Sequence, residues 1–85
     1  MIFINLDTIE TVNNLAKTCD KYDKIYIDVI HGRYTVNGRS VLGVCSLMGN
    51  IVKVVPDTDD NLLITYIIRD LKEIGAWVED SIIEK

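Results

Sequence analysis

The stretch IYIDVIHGRYTVNG, residues 25–38, constrains the fold more than any other part of the chain. Ile25, Ile27 and Val29 fall on one side of a strand, and Tyr26, Asp28 and Ile30 on the other, a period of two. His31 and Gly32 then read as a turn, and RYTVN at 33–37 alternates again, with Tyr34 and Val36 sharing a side. Two alternating runs around a glycine turn predict an antiparallel hairpin.

The rest of the chain supplies what such a hairpin can pair with and pack against. IFINL (2–6) predicts a further strand, a central one because it is apolar on both sides. Ile9, Val12, Leu15, Ala16 and Cys19 recur at three- and four-residue steps with polar residues between them, the pattern of an amphipathic helix. Asp7 is its candidate N-cap, with Glu10 three residues later in an approximate capping box. RSVLGVCSLMG (39–49) lacks alternation and reads as a short helix with Ser40 as N-cap and Gly49 as the residue that ends it. Val41, Val44, Cys45 and Met48 form its stripe; Leu42 and Leu47 fall outside, so the helix shows surplus apolar surface. IVKVV (51–55) predicts a strand ended by Pro56, and DTDDN opens a long helix with Thr58 or Asp59 as cap. That helix carries the stripe Leu63, Ile64, Ile67, Ile68, Leu71 and Ile74, and Gly75 ends it. In the tail AWVEDSIIEK (76–85), Trp77, Ile82 and Ile83 fit a continued helix, a return to the sheet, or contact with another chain. The order β-α-β-β-α-β-α, with helices to cover one face of a sheet, predicts an α+β two-layer sandwich in one domain spanning 1–85.

Composition removes several function classes. Nine Lys and Arg against thirteen Asp and Glu leave a net charge of −4, which argues against nucleic acid as a partner. Cys19 and Cys45 lie in helical apolar patterns without metal or redox spacing, and read as small buried hydrophobes in a reducing compartment. The start MIFINLDT has no basic segment of a signal peptide, and no apolar run approaches the roughly 20 residues of a membrane span. A soluble cytoplasmic protein without membrane contact is expected. His31, the only histidine, sits in the hairpin turn, so neither a metal site nor a catalytic triad can be assembled from the sequence. No cofactor and no enzymatic activity is predicted. Asp57, Asp59 and Asp60 fit the acidic start of a helix and lack the spacing of a calcium loop.

Two segments carry a resemblance. DKYD (20–23) is similar to the segment that ends the first helix of HPr, the histidine-containing phosphocarrier of the bacterial sugar phosphotransferase system. TVNGRSVLGVCSL (35–47) resembles that family's regulatory motif, holding Thr35, Val36, Asn37, Ser40, Gly43, Val44, Ser46 and Leu47 in one register. The resemblance implies an HPr-like open-faced sandwich, a four-stranded antiparallel sheet with three helices on one face. It also implies a phosphohistidine in a G-x-H-A-R-P motif at the start of the first helix. The corresponding stretch here is LDTIETV (6–12), which places Thr8 at the histidine, Glu10 at the arginine and Thr11 at the proline. A threonine hydroxyl cannot form the labile phosphoramidate of a carrier histidine. Asp7 and Glu10 would repel an incoming phosphoryl group besides.

The resemblance further implies that Ser40 corresponds to a serine phosphorylated by an ATP-dependent kinase in Gram-positive relatives. A dianion at a helix start beside Arg39 is electrostatically welcome there, although capping alone also accounts for the serine. In the family, the short helix and the start of the first helix form the docking face for enzyme I, sugar permease domains and the serine kinase; the serine-phosphorylated form acts with a transcription regulator. This gives Leu42, Leu47, Met48 and Arg39 a partner-binding role. Two alternatives stand beside this reading: a working phosphocarrier with a non-standard acceptor, such as His31, and a small oligomerising module in which the Trp77 tail and the short helix bury one another.

Overall fold

A computed structural model of the chain describes residues 1–79. The elements are β1 (Ile2–Asn5), α1 (Ile9–Lys21), β2 (Ile27–His31), β3 (Tyr34–Asn37), α2 (Val41–Cys45), β4 (Ile51–Pro56), α3 (Asn61–Glu73) and β5 (Trp77–Val78). All strands join one sheet in the order β3-β2-β4-β1-β5, and every neighbouring pair is antiparallel.

Register explains why the helices lie on one face. Ile2 and Ile4 pair with Val54 and Val52, Val29 pairs with Val54 and Val36, and the period of two sends these side chains to the same side. There they meet Val12, Leu15 and Cys19 of α1, Val44 of α2, and Ile67 and Leu71 of α3 in one buried core. Each Leu, Ile or Val so buried contributes about 1.5–3 kcal/mol against chain entropy. Phe3, Asn5, Asp28, Ile30, Lys53 and Val55 turn to the uncovered face, where none is buried. The sandwich is open-faced, as expected.

The sheet has five strands where four were expected. Gly75 adopts φ 88°, a left-handed conformation that ends α3 and turns the chain back to the sheet. Trp77 then pairs with Ile4 and Val78 with Phe3, while the Asn5 N–H donates to the Ala76 carbonyl (2.9 Å). The Lys72 ammonium lies 4.9 Å from the Trp77 ring centre and holds the indole against the end of α3. Among the placements open for the tail, Trp77 takes the return to the sheet; Ile82 and Ile83 lie outside the described residues.

Two caps also differ from expectation. Thr8, not Asp7, caps α1: its backbone is extended and its hydroxyl accepts the Thr11 N–H. Asp60, not Thr58 or Asp59, caps α3, accepting the N–H groups of Leu62 (3.0 Å) and Leu63 (3.2 Å). Thr58 instead accepts the N–H of Asp60 itself (3.1 Å). Several residues of each run could cap, and the one that does is the extended residue at which the backbone turns helical.

Gly38 fixes how closely the hairpin approaches α1. Its N–H donates to the Ile27 carbonyl (2.8 Å), and a Cβ there would stand 2.6 Å from Cys19 Sγ. No side chain fits at this position.

Candidate functional site

The helix α2 and the start of α1 form one surface because the chain ties them together. The Gly49 N–H donates to the Leu6 carbonyl (2.6 Å), and the Leu6 N–H donates to the Asn50 carbonyl (3.0 Å). These bonds set the end of the turn after α2 beside the residues that lead into Thr8. At its other end, α2 meets the second half of α1 across a groove lined by Asn13, Ala16, Lys17, Asp20, Arg39 and Val41. The two helices therefore run antiparallel, with Met48 near the α1 start and Ser40 near its later turns.

Ser40 is exposed and caps α2, its Oγ accepting the Gly43 N–H (3.2 Å). The Asn37 turn holds it there: the Ser40 N–H donates to the Asn37 carbonyl (3.0 Å) and the Arg39 N–H to Asn37 Oδ1 (2.9 Å). The Arg39 guanidinium reaches back to the Asp23 carbonyl (3.3 Å), so a cation is anchored next to the serine. Gly43 keeps this corner tight, since a Cβ there would lie 3.1 Å from Ser40 Oγ and 3.2 Å from Val36 Cβ.

The apolar residues of α2 divide differently from the helical-wheel expectation. Val44 and Leu47 are buried in the core. Val41 and Met48 are each 42% exposed and Leu42 is 86% exposed. Leu47 is thus withdrawn from the contact surface to which it was assigned. After Cys45 the backbone leaves the α-helix for tighter turns, with Leu47 and Met48 donating to carbonyls three residues back (each 3.0 Å). That overwinding rotates Leu47 inward and Met48 outward.

At the start of α1, the hydroxyl of Thr8 is already committed. It accepts the Thr11 N–H (3.2 Å) and lies 3.1 Å from Thr11 Oγ1. Thr11 spends its own proton on Asp7 Oδ1 (3.3 Å), so Thr8 is the donor of the hydroxyl pair. The segment ends in a carboxylate, with Glu10 also in the first turn, and these two charges oppose an incoming anion. His31 sits away from this surface, at the far end of β2 beside Met1, Phe3, Ile51 and Lys53. Among the described residues, no group of His, Cys, Asp and Glu could hold a metal ion. No helix among them is long and apolar enough to cross a membrane.

Sequence reasoning missed Asp70. It is buried on α3, and its Oδ2 accepts the Lys21 ammonium (2.9 Å) and the Tyr22 hydroxyl. Arg69 Nε stands 3.6 Å from Oδ1. Hydrogen bonds from Tyr22 and Lys21 hold the carboxyl below the usual carboxylate range. Burial and then the bond to Asp70 push Tyr22 up to about 12. The signal was an acid inside an apolar arc, three residues after Ile67 and next to Leu71. This cluster clamps α1 to α3 and lies apart from Ser40 and Thr8.

With this geometry in view, the comparison with solved structures is informative. The chain superposes on the crystal structure of HPr-C-His from Thermoanaerobacter tengcongensis with a TM-score of 0.64, covering 85% of each chain at 24% identity. The fold is HPr-like. No family model matches the sequence, and no curated protein does. Identity at this level speaks for architecture alone, and function has to be argued from the site.

Proposed function

We propose that this chain is a protein-binding or regulatory relative of the sugar phosphotransferase system that has kept the HPr-like fold and lost the carrier chemistry. Ser40 is its regulatory phosphorylation site, and Arg39, Leu42 and Met48 belong to its docking face. It works by docking and not by catalysis; its partners are proteins, drawn from enzyme I, permease domains, a serine kinase or a transcription regulator. The observation that carries this reading is Leu42, 86% exposed two residues after an exposed serine cap whose neighbour is an anchored arginine. An apolar side chain held out on a short helix, with exposed Val41 next to it and exposed Met48 in the turn that follows the helix, is suited to burial against another protein. A phosphoryl group on Ser40 adds a charge of about −1.5 to −2 next to Arg39. At Thr8, in contrast, any phosphoryl group would be an ester facing Asp7 and Glu10.

Intact mass after incubation with two donor systems tests the proposal: ATP with the serine kinase, and phosphoenolpyruvate with enzyme I, each beside Ser40→Ala. The expected result is one phosphate from ATP that the variant lacks. An acid-labile phosphate from phosphoenolpyruvate would refute the loss of carrier chemistry, and no mass gain from ATP would refute the role of Ser40.

A further inference from the structure

The uncovered face of the sheet is not built like a surface that meets only water. An antiparallel sheet with one solvated face ordinarily alternates, apolar toward its core and polar toward solvent. Here Phe3, Ile30, Ile51 and Val55 all turn away from the helices, and none of them is buried. Register gathers them around one cation. Lys53 has Ile51 and Val55 on either side along β4, and Phe3 and Ile30 directly opposite on β1 and β2.

One acid shares this face. Asp28 stands opposite Val55, which makes it the diagonal neighbour of Lys53 across β2 and β4. Lys53 and Asp28 are the only charged side chains that the described strands turn to this side. The ion pairs among the described residues are those of Asp70 with Lys21 and Arg69, so Lys53 and Asp28 do not pair with each other.

We propose that this face is an interface between two copies of the chain, closed by the Lys53 ammonium of each against the Asp28 carboxylate of the other. Charge complementarity selects the occupant. A partner bringing one sign of charge would satisfy one of the two groups and repel its neighbour. A second copy brings both, in mirrored order. A two-fold axis lying between the faces, at right angles to the line from Lys53 to Asp28, sets each lysine over the opposite aspartate. Stacked sheets pack about 10 Å apart, a gap that a lysine and an aspartate facing one another can bridge. The four apolar side chains around Lys53 would then shut water away from both ion pairs, which strengthens them.

The inference does not rest on a regulatory role for Ser40. The helices cover the other face of the sheet, so Ser40 and Leu42 of both copies stay exposed in such a dimer. The assembly presents two docking surfaces, pointing away from each other.

Sedimentation of the full chain over a concentration series tests the proposal. The expected mass rises from 9.6 kDa toward twice that value. Lys53→Glu and Asp28→Lys, each checked for its fold by circular dichroism, should each weaken self-association at least about tenfold, because like charges then meet. Mixing these two variants should restore association, since an acidic face then meets a basic one. Leu62→Asp, at an exposed apolar residue of α3, should leave the dimer unchanged. A chain that stays at 9.6 kDa up to high micromolar concentration would overturn the inference. So would a dimer indifferent to both charge reversals, one that Leu62→Asp breaks equally, or variants that remain apart when mixed.

Discussion

Replacing Asp70 by Asn removes the only buried acid among the described residues while keeping its shape. The carboxylate accepts from Lys21 and Tyr22, and a hydrogen bond to a charged group is worth about 1.5–3 kcal/mol. The Lys21 side chain is 62% exposed, so its ion pair adds no more than about 1 kcal/mol. An asparagine retains one acceptor for Tyr22, which sets the expected loss for Asp70→Asn near 1–2 kcal/mol at neutral pH. Asp70→Ala, which also strands the phenol, should cost about 2–3 kcal/mol. Urea unfolding across a pH series checks both numbers and the sign of the linkage. The folded carboxyl titrates below the ordinary value near 3.9, so its stabilisation is present above that value. It is lost as pH falls through the folded value, and the gap between the wild type and Asp70→Asn should close in strong acid. At the alkaline end, Tyr22 titrates near 12 against an ordinary value near 10. Its share is present below about pH 10 and lost as pH rises through 12, and Tyr22→Phe should lack that alkaline slope. A gap between wild type and Asp70→Asn of the same size at neutral and strongly acid pH, or no gap at neutral pH, would refute the assignment of Asp70 as a charged clamp.

Further changes probe the hairpin, the short helix and the thiols. Gly38→Ala should cost about 1–3 kcal/mol in thermal melts, because its Cβ would stand 2.6 Å from Cys19 Sγ; adding Cys19→Ala should restore part of the loss. Leu42→Asp should leave stability within about 0.5 kcal/mol, whereas Leu47→Asp should lower it by more than about 4 kcal/mol, both read by circular dichroism. Ser40→Ala should cost about 0.5–2 kcal/mol from the lost cap in urea unfolding. Burial pushes the Cys19 thiol up to about 12, so mass spectrometry after iodoacetamide should find Cys45 labelled first and Cys19 only on unfolding.

What could be read from the residues depended on how local the determining physics was. The hairpin, the α1 stripe and the Ser40 cap each follow from spacing within a dozen residues, and spacing placed them nearly right: the turn is Gly32-Arg33, one residue later than read, with His31 paired to Tyr34 at the end of β2, and of the α1 stripe only Ile9 is exposed. Leu47 was misplaced, because an ideal 100° wheel cannot foresee that α2 tightens after Cys45. Asp70 was missed, because its partners Lys21 and Tyr22 lie 49 and 48 residues away. The caps of α1 and α3 were displaced by one residue or two. Several capping residues stood in a row, and spacing does not say at which of them the backbone turns helical. β5 is two residues long, too short for any periodicity to show.

That short strand has a bearing on how the molecule behaves in a crowded solution. β1, Ile-Phe-Ile-Asn, carries no charge and has strong strand preference. Without β5 its outer side would present a row of unpaired N–H and C=O groups, a template for the same segment of another molecule. Trp77, Val78 and the Ala76 carbonyl occupy that row. At the opposite margin, β3 is guarded by exposed polar residues, Thr35 and Asn37. A chain cut before Gly75 is therefore exposed to strand-to-strand self-association, and the left-handed turn at Gly75 is part of what keeps the protein from aggregating.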